Sequence, residues 1–425
     1  MFRTKGKLMT RHTGWLQGTV MLAVLLLVAG CGKSSETTPQ PPPIQPPAQQ
    51  PPATPGVQTF KIGVLMPMSG ADAARGQAFV NGVKWGIKVL GDSVKLSESQ
   101  LVVKDVATDP QQGVVAATEM IQTDKPWLLL GLPDAQAVTK LRSDLEKAEV
   151  PLMTPATGEM TLPALELYVT RLTYPDSSAA DALARYVASS PAAQQTVVVA
   201  NSDRAESLEL KDVFRKRFTE LRGNVIAQFS YADMVKPERL ARMVMMEKPE
   251  LIFAPLDQPR AVLLIDALRK EGLSARVVGP EWYAPSGFAG PNADYTGVIT
   301  TGRGYVQSTG AVLAQLDRAR LAANVIAPAT VDELMGYDAV AVLVSALKSS
   351  PTGARDLARA INLTKNLEGT RGALSMGPNR GLISGVPVLG VKDHAFELLA
   401  TISAVPEPPA TPAIAPATPG TPPEN

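Results

Sequence analysis

From Phe60 to Ile402 short apolar runs alternate with helical patterns, and this alternation restricts the fold more than any other feature of the chain. Phe60-Lys61-Ile62-Gly63-Val64-Leu65-Met66 is the first such run. After Ser69-Gly70, residues Ala74, Ala78, Val83, Ile87 and Leu90 recur at helical spacing, and Gly91 closes the pattern. Leu101-Val102-Val103-Lys104 is the next run, and Asp109-Pro110 follows as a helix cap with proline in the first turn, opening a helix through Val114, Ala117, Met120 and Ile121. Residues 127–130, a helix over 135–148 and a strand over 150–153 repeat the unit. Strands that are apolar throughout, alternating with helices, imply a parallel sheet covered on both faces.

A second run begins with a helix over 179–189. It continues through strands over 196–200, 225–229, 251–254 and 276–278, with helices over 206–221 and 259–270. Residues 168–174 join the two runs, and a strand over 297–300 is read as the return crossing. Helices over 311–323, 331–348 and 354–362 precede strands over 386–392 and 395–402. A chain of 425 residues exceeds one ordinary core, so two α/β layers are expected in preference to one oversized sheet.

The flanks read differently. Arg3, Lys5, Lys7 and Arg11 precede an apolar stretch from about Thr19 to Ala29 and the small-residue end Val28-Ala29-Gly30-Cys31, the order of parts in a secretory signal peptide over residues 1–30. That apolar run is too short to span a bilayer comfortably. The junction resembles a bacterial lipobox, in which Cys31 becomes the lipid-bearing first residue. Gly32 follows it, which leaves the outer membrane open as its destination. Residues 31–58 and 403–425 are proline-rich: nine prolines lie between Thr38 and Val57, and eight between Ala404 and Asn425. Such segments stay extended and solvated, so they read as a tether and a tail. A fully extended tether from Cys31 to Phe60 reaches roughly 90 Å.

Loss of the leader's four cations takes the formal charge from +1 to −3, which leaves no electrostatic footprint for nucleic acid. Cys31 is the only cysteine, so no internal disulfide, Cys-based zinc site or buried Cys nucleophile is available. The two histidines are His12 in the leader and His394 at the last turn. No Cys/His cluster has metal-ligand spacing, no nucleophile has an evident base, and the first strand–helix junction, Met68 to Gly76, lacks phosphate-cradling glycine spacing. No cofactor, no metal and no catalytic residue are expected. An α/β fold so equipped suits binding, because ligands collect at the carboxyl ends of parallel strands. Ser69, Thr157, Ser177 or Ser178, and Glu281 lie at such ends, although serine and threonine also cap helices for structural reasons alone.

The order of segments resembles the type I periplasmic binding proteins, particularly the leucine, isoleucine and valine binding family that feeds ABC importers. The matching residues are Ile62-Gly63-Val64 through Met68-Ser69-Gly70 to Gly76, Asp105 before Asp109-Pro110, Gly131, and Val150 through Thr157. Glu271-Gly272-Leu273, Gly279-Pro280-Glu281 and Gly336-Tyr337-Asp338-Ala339 complete them. The resemblance implies a two-lobed α/β fold, each lobe a parallel sheet flanked by helices, joined by three crossovers. Residues 59–172 and 300–375 would form one lobe, and 173–299 and 376–402 the other. It also implies that Ala156 and Thr157 hold a ligand carboxylate and that Glu281 holds its ammonium. Arg75 stands where the family commonly has a tyrosine. It suits an acidic ligand group by its planar fork, or is an exposed structural arginine. Ala135 replaces an expected hydroxyl, and Arg204-Ala205-Glu206-Ser207 replaces a Tyr-Gly pair. Trp282 and Tyr283 stack on a ligand or pack the hinge.

Two functions follow as expectations. One is a lipid-anchored, non-enzymatic solute-binding protein that captures a small polar, amino-acid-like ligand for an ABC permease or receptor at the cell envelope. The other is a ligand-free envelope scaffold, such as an activator of cell-wall synthesis; the altered ligand positions favour it, and retained Glu281 and Thr157 oppose it.

Overall fold

Every residue of Ile62–Met66 is buried, as expected of a strand with helices on both faces, and the segment forms β1. The computed structural model describes residues 60–160, 162, 166–281, 295–306, 310–377, 380–383, 385–392 and 395–404. The leader, Cys31, the proline-rich tether, the tail beyond Ala404, Trp282, Tyr283 and His394 lie outside the described residues. β1 is followed by α1 (Ala73–Leu90), β2 (Leu101–Asp105), α2 (Pro110–Thr123), β3 (Leu128–Gly131), α3 (Ala135–Ala148), β4 (Leu152–Thr154) and β5 (Val169–Arg171). The five strands form a parallel sheet in the order β2-β1-β3-β4-β5. Asp109 and Asp134 start α2 and α3 by accepting the amides of Gln111 and Ala137 at 2.9 and 2.7 Å.

α4 (Asp176–Ala188), β6 (Thr196–Ala200), α5 (Ala205–Glu220), β7 (Val225–Ser230), α6 (Pro237–Met246), β8 (Leu251–Phe253), α7 (Gln258–Lys270), β9 (Arg276–Gly279) and β10 (Val298–Thr301) come next. After them stand α8 (Ala311–Ala322), α9 (Val331–Leu347), α10 (Ala354–Asn362), β11 (Leu367–Gly369), β12 (Gly372–Leu374), β13 (Gly385–Lys392) and β14 (Ala395–Ser403). The second sheet has the order β14-β13-β10-β9-β8-β6-β7. Its strands β6 to β10 are parallel, while β13 runs antiparallel to both β10 and β14. The second sheet is therefore mixed, a correction to the expectation of a parallel sheet in each lobe. The expected return strand belongs to this sheet as β10, so the crossing follows Thr301.

Side chains alternate across β1. Ile62, Val64 and Met66 join Phe79, Val83, Val340 and Leu343, whereas Leu65 joins Leu129, Leu141, Leu145 and Leu152 on the other face. The second sheet has its own two layers, one around Val197, Ile252 and Leu264, the other around Val198, Phe214 and Phe253. Among the described residues the chain passes between the sheets three times: after β5, after β10, and between β12 and β13. The first and third passages are joined directly, by the Arg171 amide to the Arg380 carbonyl at 2.7 Å and the Leu382 amide to the Arg171 carbonyl at 3.0 Å.

Candidate functional site

Parallel strands end among helix N-termini, and each sheet has a recess there. In the first lobe a recess of about 170 Å³ at the ends of β1, β2 and β3 is lined by Arg75, Thr108, Asp109, Asp134 and Asp332, among others. In the second, a recess of about 350 Å³ at the ends of β6 and β8 is lined by Asn201, Arg204, Glu206, Ser207 and Asp257, among others. Among the described residues no group of three or more His, Cys, Asp or Glu side chains could hold a metal ion. No helix among them is long and apolar enough to cross a membrane.

The structure places Ser69 in the exposed turn after β1, where its hydroxyl bonds Asp105 at the end of the adjacent β2. The Asp105 carboxylate also accepts the amides of Met68 and Ala107 at 2.8 and 2.7 Å, so it ties two strand-end loops together. These donors, Ser69 foremost, hold its carboxyl below the ordinary value. Arg75, on the first turn of α1, has an internal partner: its guanidinium lies 3.3 Å from Asp332, which is buried at the start of α9. Ser178 donates to the Ala404 carbonyl at 2.8 Å, which fastens α4 to the end of β14.

The loop after β4 is set by Thr154, whose hydroxyl donates to the Leu132 carbonyl at 2.7 Å and accepts the Ala156 amide at 3.0 Å. Ala156 is fully buried and Thr157 half-buried. Beneath the loop, Arg171 donates to the carbonyls of Gly158 and Ala156 at 2.9 and 3.4 Å. Burial lowers the Arg171 pKa, and the more distant charges of Glu159 and Asp176 oppose that shift. The Thr157 carbonyl accepts the Asp176 amide at 2.9 Å, which links this loop to the first passage between the lobes.

Glu281 follows β9 in a left-handed conformation, φ 59°, which a residue other than glycine adopts only when its surroundings hold it. Its amide donates to the Thr301 hydroxyl, which in turn donates to Oε1, both at 2.9 Å. Tyr174 donates to Oε1 at 2.8 Å, and the Arg303 amide donates to Oε2 at 3.1 Å. The Arg303 guanidinium stands 3.2 Å from Oε2, 2.8 Å from Asp176 and 4.6 Å over the Tyr174 ring. Burial disfavours the Arg303 charge, but Glu281 and Asp176 outweigh it and the pKa is raised. Burial, followed by the Glu281 charge, lifts the Tyr174 hydroxyl well above its ordinary value.

Thr157 and Glu281, from loops of different lobes, are thus joined through Asp176 and Arg303. Ser69 and Arg75 stand apart from this cluster, in contacts with Asp105 and Asp332. Sequence reasoning missed Arg171, Tyr174, Asp176, Thr301 and Arg303. The available signal was weak: a charged residue that ends a buried strand, as at Arg171, or follows one after a single glycine, as at Arg303.

No curated protein matches this chain. Among solved structures, a leucine-binding protein LivK from Thermotoga maritima aligns at 22% identity and a TM-score of 0.64, over 81% of this chain and 99% of that one. The branched-chain amino acid substrate-binding protein LivJ from Streptococcus pneumoniae, in complex with isoleucine, aligns at 18% and 0.66, over 81% and 100%. A solute-binding protein of an ABC transporter from R. palustris, in complex with 4-hydroxybenzoate, aligns at 19% and 0.64, over 81% and 96%. At these identities the likeness is one of fold, the two-lobed α/β architecture. The sequence profile of the family described as Periplasmic binding protein matches residues 59–393, and the chain belongs to that family.

Proposed function

We propose that this protein is a solute-binding lipoprotein. Anchored through Cys31 and its proline-rich tether to a bacterial envelope membrane, it captures a small polar ligand between its lobes for an ABC importer, without catalysis. The observation that carries this reading is the cluster Thr157–Asp176–Arg303–Glu281, in which strand-end loops from both lobes meet through one set of polar contacts. The related structures, one with isoleucine and one with 4-hydroxybenzoate, support a small carboxylate-bearing ligand. In this reading Ala156 and Thr157 receive the ligand's carboxylate, with Ser69 and Arg75 at the first lobe's rim.

A ligand present at 100 times its Kd stabilises the protein that binds it by about 2.7 kcal/mol. At roughly 2–4 °C per kcal/mol for a chain of this class, the melting temperature should rise by several degrees. Amino acids, small organic acids and short peptides are the compounds to screen by thermal shift, alongside mass spectrometry of anything that co-purifies. A shift from a small solute is the expected result; a complete absence of both shift and co-purified compound rejects the reading.

The envelope-scaffold reading stands second, because the chain itself supplies the partners of Glu281, as expected of a site without a ligand. Capture from detergent extract separates the two. Permease subunits support the importer, and cell-wall synthases support the scaffold.

A further inference from the structure

Glu281 stands where the resemblance puts the acceptor of a ligand's ammonium, yet its carboxylate is already occupied. A carboxylate offers about four lone-pair sites. Here Oε1 takes the hydroxyls of Tyr174 and Thr301 at 2.8 and 2.9 Å, and Oε2 takes the Arg303 amide at 3.1 Å and faces its guanidinium at 3.2 Å. Arg303 is not a loose surface side chain. Its side chain is 10% exposed, and Nη2 also binds Asp176 at 2.8 Å and the Tyr174 carbonyl at 3.0 Å. A ligand ammonium at Glu281 would have to dislodge this guanidinium or sit against it, and like charges at contact distance in a partly buried site repel strongly.

We propose that Arg303 is a built-in occupant of the ammonium subsite at Glu281, so that the cleft takes monocarboxylic acids that lack an α-ammonium group. This rests on the solute-binding reading above and narrows it. The other end of the site keeps its attraction for a carboxylate. Arg171 is 2% exposed, its guanidinium donates to the carbonyls of Ala156 and Gly158, and it has no carboxylate among the described residues within ion-pair distance. Its charge therefore lies directly beneath the loop that carries Thr157. One carboxylate suits the site better than two, because the Arg303 guanidinium there is already matched by Asp176 at 2.8 Å and Glu281 at 3.2 Å.

The test is calorimetric titration of the intact protein with matched pairs: L-leucine against 4-methylpentanoate, and L-phenylalanine against 3-phenylpropanoate, with benzoate as a further acid. The expected result is binding of at least one acid at least about tenfold tighter than its amino acid. In Arg303→Gln, which removes the guanidinium charge from the subsite, that gap should close or reverse. Amino acids that bind the native protein as tightly as their des-amino partners overturn the inference and leave the solute-binding reading intact. If neither series binds native protein or variant, the inference falls together with that reading. Should Arg303→Gln fail to fold, the native comparison decides alone.

Discussion

Ser69 and Asp105 show how a residue chosen for a ligand can be engaged by its neighbours instead. The Ser69 hydroxyl is the largest influence lowering the Asp105 carboxyl, ahead of the amides of Met68 and Ala107. An acid whose folded pKa is depressed contributes stability that is present above its unfolded value, about 3.9, and is lost as pH falls through the folded value. Ser69→Ala should therefore lower the melting temperature at pH 7, with the deficit shrinking as the pH falls towards 3 and Asp105 is protonated in both proteins. Melts of both proteins from pH 7 down to pH 3 check this, and superimposable profiles across that range would exclude the Asp105 contact as Ser69's role. Residue types at strand ends were legible in the sequence: Thr157 and Glu281 do lie on strand-end loops of different lobes. Their partners were not legible, because Asp332 is 257 positions from Arg75 and Tyr174 is 107 from Glu281. Only the completed topology brings such pairs together.

At the level of elements, α1 and α9 approach closely enough for glycine to matter. A Cβ on Gly336 would stand 2.2 Å from the Phe79 carbonyl oxygen and 2.9 Å from the Val83 nitrogen, and one on Gly82 would stand 1.9 Å from the Glu333 carbonyl oxygen. These neighbours are helix backbone and cannot swing aside. Gly336→Ala should lower stability by about 1–3 kcal/mol through overpacking, although alanine is intrinsically the better helix former by about 1 kcal/mol. Chemical denaturation measures the change, and a more stable variant would mean that the helices separate freely. The strands of both sheets were readable as short, largely apolar runs, except β5, whose Val169-Thr170-Arg171 was read only as part of the segment joining the two runs. The helix α6 was missed: it spans only ten residues, and the exposed Met243 and Met246 put apolar residues on its solvent side, which blurs the helical spacing of buried Leu240, Ala241 and Val244. The β11–β12 hairpin, with three-residue strands joined at Gly369 and Gly372, has no apolar run to betray it. The antiparallel edge was legible in principle, since only two residues separate β13 from β14 in the sequence, too few for the crossover that a parallel pair needs.

Across the whole molecule, two lobes with separate cores are held by passages that are bonded to one another. Arg303 ties the second passage to the first through the Tyr174 carbonyl and Asp176, and the Arg171 backbone ties the first to the third. Arg371 adds a link into the first lobe's core: its guanidinium sits 3.1 Å from Asp338 on α9 and donates to the Leu172 carbonyl at 2.9 Å. Both charged side chains are essentially buried, 3% and 1% exposed, and Thr370 donates its amide and hydroxyl to the same carboxylate at 2.7 and 2.9 Å. Arg371→Met strands that carboxylate without its cation, and breaking a buried pair in this way costs about 3–5 kcal/mol. The loss falls on the first lobe, because the layers around Ile252 and Phe253 contain neither residue. Calorimetry should then turn a single transition of the native protein into two, the lower one belonging to the first lobe. The pH dependence identifies the cause. Burial already raises the Asp338 carboxyl against the pull of Arg371 and Thr370, and removing Arg371 raises it further. A carboxyl with a raised folded pKa favours the folded state when protonated and loses that contribution as pH climbs through the folded value. The deficit of Arg371→Met should accordingly be larger at pH 8 than at pH 5. An equal deficit at both would place the loss in the Leu172 contact and the side-chain packing, with the stranded charge contributing nothing.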